Sequence, residues 1–280
     1  MNICAATMVR SDRPYEVKEW VNYHKLIGVN KFYIYDDFSE ADIKPLFPKN
    51  TKWLSSIHDR ELLQCKLYEK FMRLAKEDKV DWLLLIDIDE YIVITHKPNL
   101  SSFLEEMNNY PAVELQMRNF SPQGNVGDYK PDKSIFDTFA QYYRPSFDVK
   151  TLVNINRLKK PFIPNNPHHF IKSAVDCLSN IPTYTTKINF KNKKDHIGYP
   201  CNINVPAWIN HYPLRDLKQI HSKIKNHSTF IGDNEHKQID YVLRYLLTFT
   251  NPNVYEKFNF KKQMAKLYKK HIENCDWLTT

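Results

Sequence analysis

WLLLIDIDE, running from Trp82 to Glu90, is the stretch on which the fold turns. Five apolar residues in an unbroken run predict a strand covered on both faces, as in a parallel sheet. Three carboxylates within four residues follow at once, and acids beside a core are costly unless something cationic neutralises them. Read as extended chain, Asp87 and Asp89 project to the same side, because strand side chains alternate. Paired hard oxygen donors suit Mg²⁺ or Mn²⁺, ions that bridge carboxylates to a diphosphate. The plain alternative is a surface turn whose acids cap the next element.

Upstream of this stretch the pattern is regular. Ile3 to Val9 reads as a buried strand. Pro14 to Leu26 reads as a helix with proline in its first turn, stopped by Gly28. Lys31 to Tyr35 is an aromatic and β-branched strand, and Glu61 to Lys76 is a helix with a broad apolar face. Strand alternating with helix predicts an α/β fold with a mostly parallel sheet flanked by helices. Polar residues gather where the strands end: Arg10 and Ser11, then Asp36 and Asp37, then Asp87 and Asp89. Ligands of open parallel sheets bind outside those carboxyl ends. Downstream, Ala112 to Arg118, Val149 to Leu158 and His168 to Val175 read as strands, and Ser121 to Lys133 as a long loop. Leu214 to Lys225, Lys237 to Leu247 and Tyr255 to Ile272 have helical spacing.

Composition narrows the function. The 280 residues carry 40 Lys and Arg against 32 Asp and Glu, a formal charge of +8. The basic residues lie in short pieces among acidic and apolar neighbours and form no nucleic-acid module, so no nucleic-acid partner is expected. Only five glycines are present, too dispersed for a Walker A loop or a G-x-G-x-x-G turn, which excludes the common ATPase and dinucleotide-binding designs. The five cysteines are dispersed and include no C-x-x-C pair, which predicts reduced thiols. The opening MNICAATMVRSDRP is too short in apolar residues for a signal peptide, and no apolar run reaches bilayer-spanning length. A cytoplasmic protein is expected, with peripheral membrane contact through the basic, aromatic helix Tyr255 to Ile272 kept open.

ATMVRSDRPYEVKEWVNYHKLIGVNKFYIYDDFS (6–39), WLLLIDIDEYIVI (82–94), VKTLVNINRL (149–158) and INHYPLRDLKQIHSK (209–223) resemble, in order, segments of glycosyltransferase family 92 and its bacterial and viral relatives of the GT-A type. The chain departs from that pattern at Arg10-Ser11-Asp12, where the family has Lys-Asn-Glu, and at Asp36-Asp37, where it has Asp-Asn. It departs again at Asn119-Phe120-Ser121, in place of a Phe-Gly segment. The resemblance implies a GT-A fold over residues 1–225, followed by a C-terminal helical extension over 226–280.

It also implies a Mn²⁺- or Mg²⁺-dependent enzyme that moves a sugar from a nucleoside diphosphate sugar to a glycan or lipid-linked acceptor. UDP is the implied nucleotide, galactose the implied sugar, and the transfer inverts. By the same resemblance Asp89 is a direct metal ligand, and Asp87 lies toward the ribose or a metal-bound water. Glu90 is structural. His211 completes the metal shell, with His168 and His169 as the rival pair. Thr7, Arg10, Asp36, Gln64, Asp87, Lys150 and Lys223 are the candidate donor-binding residues. The general base is left open among Glu114, Asp128, Asp132 and Asp137. Two other classes share these residues: a metal-dependent nucleotidyltransferase, and a non-catalytic glycan- or nucleotide-binding protein.

Overall fold

The computed structural model describes residues 1–10, 12–37, 39, 41–54, 63–120, 134–139, 142–164, 168, 171, 174–176, 205–213 and 215. The expected 226–280 extension, its boundary near 225, Lys223, His169, Asp128 and Asp132 lie outside them. The chain divides into two compact units, one of residues 1–119 and 145–211, the other of 120–144 and 212–280.

The first unit opens with β1 (Ile3–Val9), α1 (Pro14–Ile27), β2 (Lys31–Asp36), a 3₁₀ turn (Lys44–Leu46), β3 (Lys52–Leu54), α2 (Leu63–Glu77) and β4 (Trp82–Leu85). Local chemistry fixes the ends of α1. Pro14 occupies its first turn, the Glu16 carboxylate accepts the Arg13 backbone N–H at 3.2 Å, and Gly28 takes the left-handed conformation at φ 115° that lets the chain turn away without a Cβ clash. Strand alternation then sorts the core. Cys4, Ala6, Tyr33, Tyr35, Leu83 and Leu85 pack with the apolar face of α2. Phe32, of opposite parity, meets Trp20 of α1 edge-on at 5.9 Å.

The chain continues through β5 (Glu90–Ile94), α3 (Leu100–Glu106), β6 (Ala112–Phe120), β7 (Tyr142–Asn154), β8 (Val175–Asp176) and β9 (Ala207–His211). A sheet of nine strands among the described residues runs in the order β3-β2-β1-β4-β7-β6-β9-β5, with β8 on β6. The half from β3 to β4 is parallel throughout, as expected. Beyond it the sheet is mixed: β7 is antiparallel to β4 and β5 to β9, while β9 and β8 are parallel to β6.

Three expectations are corrected. The Val149–Leu158 strand begins earlier and ends at Asn154, where the chain turns. Of the described residues between His168 and Val175, only Val175 is strand, and His168 stands in a bend. The Asp87–Asp89 segment is not extended but enters a turn at Ile88 and Asp89. In the second unit a short helix α4 (Ile135–Thr138) stands beside Tyr212, whose ring stacks on Phe120 at 5.0 Å and meets Phe136 edge-on at 6.1 Å. No helix of the described residues is long and apolar enough to cross a membrane.

Candidate functional site

The three parallel neighbours β2, β1 and β4 finish at one edge: Asp36 pairs with Val9, and Leu85 with Ala6, three residues before Val9. There the chain leaves β4 and enters β5 through a tight turn. The Glu90 backbone N–H donates to the Asp87 carbonyl at 3.0 Å, and the Asp87 N–H donates to Glu90 Oε2 at 2.9 Å. This reciprocal closure replaces the extended chain expected from sequence. Alternation no longer applies, and Asp87 and Asp89 find different partners.

Asp87 pairs with Lys150 of β7, Nζ to Oδ2 at 2.6 Å, and the same ammonium lies 3.2 Å from Glu90 Oε1. The antiparallel pairing of β4 with β7, Leu84 opposite Leu152, brings that lysine to the turn. Lys150 and Glu90 are both buried. Burial disfavours the Lys150 charge, but Asp87, Glu90 and Tyr68 together hold its pKa well above the ordinary lysine value. Burial pushes the Glu90 carboxyl up, against the pull of Lys150. Three acids meet at this turn, and Lys150 offsets one of them.

Asp89 faces His211 of β9, with Oδ1 and Nε2 3.8 Å apart. Antiparallel pairing sets Glu90 opposite His211, so the histidine comes to the turn by backbone register. Its Nδ1 lies 2.8 Å from Asn119 Oδ1 on β6. Asp89, Glu90 and His211 each offer one ligand atom within 4.8 Å of the others. Two donors about 2.1 Å from a common ion stand at most about 4.2 Å apart, so the Asp89–His211 gap admits one. Mixed oxygen and imidazole donors suit Mn²⁺. Both Glu90 oxygens already accept hydrogen bonds or face Lys150, so Glu90 serves first to fix the turn. The donor set and the residual negative charge fit a divalent cation.

The other residues singled out from sequence distribute unevenly around this edge. Gln64 opens α2 and donates to the Tyr68 hydroxyl at 3.0 Å. The Tyr68 phenol is kept protonated mainly by burial, with Lys150 pulling the other way. Asp36 accepts the Ser39 backbone N–H at 2.9 Å, and Arg10 lies 3.5 Å from the buried Asp37. Thr7 is buried within β1, its hydroxyl directed to the Met8 carbonyl at 3.4 Å. Lys150 turns its charge to the acids of the turn and has no exposed side-chain surface. His168 donates from Nδ1 to the Val149 carbonyl at 3.3 Å, and burial, then Lys150, holds its pKa low. Glu114 lies on β6 five residues before Asn119, about 17 Å along a strand. It is buried, and burial raises its pKa to about 8. Asp137 is exposed on α4 in the second unit.

Asn119 was the residue that sequence reasoning missed. Its signal was the departure from Phe-Gly at that point, which carries no chemistry until β6 is set against β9.

No family model matches the chain. A glycosyltransferase family 92 protein of Ricinus communis is 27% identical over 136 residues, 44% of this chain and 23% of its own length. One of Oryza sativa is 24% identical over 188 residues, 60% of this chain and 29% of its own length. The chain thus spans well under half the length of the curated relatives it matches. Among solved structures, a glycosyltransferase involved in the glycosylation of the major capsid of PBCV-1 is 14% identical, covering 57% of this chain and 62% of its own, at a TM-score of 0.28. The chain is a distant homologue of the glycosyltransferase family 92 proteins.

Proposed function

We propose that the chain is a metal-dependent glycosyltransferase of the GT-A type, taking a sugar from a nucleoside diphosphate donor to a hydroxyl of a glycan or lipid-linked acceptor. The observation that carries this is the turn after β4. Asp89 and His211 face each other there at 3.8 Å, and Lys150 offsets one acid. Distant homology supports sugar transfer over nucleotidyl transfer on the same acids.

Asp89 and His211 would hold a divalent cation, which would supply Lewis-acid stabilisation of the departing diphosphate. Asp87, braced by Lys150 and partly exposed, presents its other oxygen to the donor's ribose. Asp36 ends β2, Arg10 follows β1 and Gln64 opens α2, and these three complete the donor contacts. The transfer proceeds with inversion, the acceptor hydroxyl giving its proton to a carboxylate base. UDP is the nucleotide of choice and galactose the first sugar to try.

Thermal denaturation against nucleoside diphosphates, with and without Mn²⁺, tests the reading. UDP at about one hundred times its Kd stabilises the fold by about 2.7 kcal/mol. The shift requires Mn²⁺ and is absent in Asp89→Asn. A UDP shift that needs no metal and survives Asp89→Asn would remove the metal assignment. Absence of any nucleotide shift would leave a non-catalytic binding protein on the same fold.

A further inference from the structure

Asn119 and His211 are register partners across β6 and β9, and their side chains meet with Oδ1 2.8 Å from Nδ1. An amide oxygen only accepts, so the imidazole proton sits on Nδ1 and the lone pair on Nε2. Nε2 is the nitrogen that lies 3.8 Å from Asp89 Oδ1. A neutral imidazole with no fixed partner chooses between two tautomers. Of Asn119 at 2.8 Å and Asp89 at 3.8 Å, the nearer acceptor holds the proton. If Asp89 prevailed, Nε2 would carry the proton and present no lone pair to any cation.

We propose that Asn119 is a positioning residue that fixes the tautomer and ring orientation of His211, so that Nε2 is available as a ligand beside Asp89. The inference rests on the metal reading above, but the tautomer itself exists without any metal. Asn119 suits the task because it is only 9% exposed and is held by strand pairing. It reaches the imidazole without adding a charge to a turn that already holds three acids. Outer partners of this kind orient metal-binding histidines, and losing one lowers metal affinity about 10–100-fold.

Imidazole ¹⁵N shifts of the full chain in metal-free buffer report the tautomer, with the His211 signal identified by its loss in His211→Gln. The wild type shows the proton on Nδ1. Asn119→Ala moves it to Nε2, and Asn119→Asp, which offers the same acceptor, restores it. Mn²⁺ binding followed by electron paramagnetic resonance weakens about 10–100-fold in Asn119→Ala and stays within a few-fold of wild type in Asn119→Asp. A wild-type proton on Nε2, or an unchanged tautomer in Asn119→Ala, overturns the proposal. The wild-type reading needs no variant, so a variant that failed to fold would not spare it. A wild type with the proton on Nδ1 that bound no Mn²⁺ would remove the metal reading and leave Asn119's hold on the ring standing.

Discussion

Lys150 and Asp87 meet at 2.6 Å with unequal access to water: the lysine side chain has no exposed surface, while the aspartate is 37% exposed. The pair therefore has an inner, fixed end and an outer end that a ligand can reach. Behind it Glu90, 1% exposed and 3.2 Å from the same ammonium, has no access to water of its own. Lys150 is the nearby cation that makes this buried carboxylate tolerable.

Lys150→Met therefore costs about 3–5 kcal/mol, the usual loss when one partner of a buried ion pair is removed. Most of that loss returns in the double variant with Glu90→Gln, whose side chain still accepts the Asp87 N–H but carries no charge. Urea denaturation of the two single variants and the double gives the coupling. Simple additivity would show that Glu90 has another source of neutralisation.

His24 sets a limit on acid stability. The ring lies in the core of α1, donates from Nδ1 to the Trp20 carbonyl at 2.8 Å and stacks against Tyr91. Burial lowers its pKa to about 3, although the bond to Trp20 works in the opposite sense. Below pH 6.5 the unfolded chain takes up a proton that the folded chain refuses. Its contribution is therefore intact above 6.5 and lost as pH falls toward 3, at about 1.4 kcal/mol per unit and about 5 kcal/mol in all. Urea midpoints from pH 7 to pH 4 should fall less steeply in His24→Phe than in wild type. Parallel slopes would place the acid sensitivity elsewhere.

Glu114→Gln separates a buried acid from a base. At five strand residues from Asn119, Glu114 is out of reach of the turn, so the variant should keep glycosyl transfer within a few-fold of wild type. Its stability should change with pH in a defined direction. Burial raises the folded pKa to about 8, so wild-type stability falls as pH rises from the ordinary glutamate value to 8, and the variant lacks that fall. A large loss of kcat with an unchanged stability profile over that pH range would return Glu114 to the list of candidate bases.

Trp20 ties α1 to the site-bearing strand, its indole N–H donating to the Glu90 carbonyl at 3.0 Å. Trp20→Phe keeps most of the buried ring and removes the donor, leaving a buried carbonyl unmet. The expected cost is about 1–3 kcal/mol, read from the denaturant midpoint, with faster amide exchange along β5. Unchanged exchange there would mean that α1 does not brace the turn.

The parallel half of the sheet was legible because its signals are local. Proline and glycine bracket α1, an aromatic run makes β2, and WLLLI makes β4. The strands β5 and β9 carry no such signal. EYIVI follows the acids so closely that it reads as their continuation, and Ala207–His211 is a short apolar run behind a proline. They are strands because they pair with each other across more than a hundred residues. The site divided along the same line. Asp87, Asp89 and His211 stood out by residue type, whereas Lys150 in FDVKTLVN read as a candidate for the donor and gave no sign of its acid partners. Its partner is set by β4 lying against β7, and Asn119 is set by β6 lying against β9. Both are facts of register, to which a one-dimensional reading has no access.

The pairing of Glu90 with His211 also bears on how the chain is made. β5 leaves the ribosome long before β9 does, and at roughly 5–20 residues per second the wait lasts roughly 6–24 seconds. During that interval an apolar, β-branched strand is without β9, its only neighbour in the sheet among the described residues. An edge of this kind invites pairing with other chains. α1 is already present by then, and its Trp20 and Tyr23 side chains donate to the Glu90 and Ile92 carbonyls of β5. The helix that braces the finished site is thus placed to chaperone its most vulnerable strand during synthesis, half-occupying it until the histidine strand arrives.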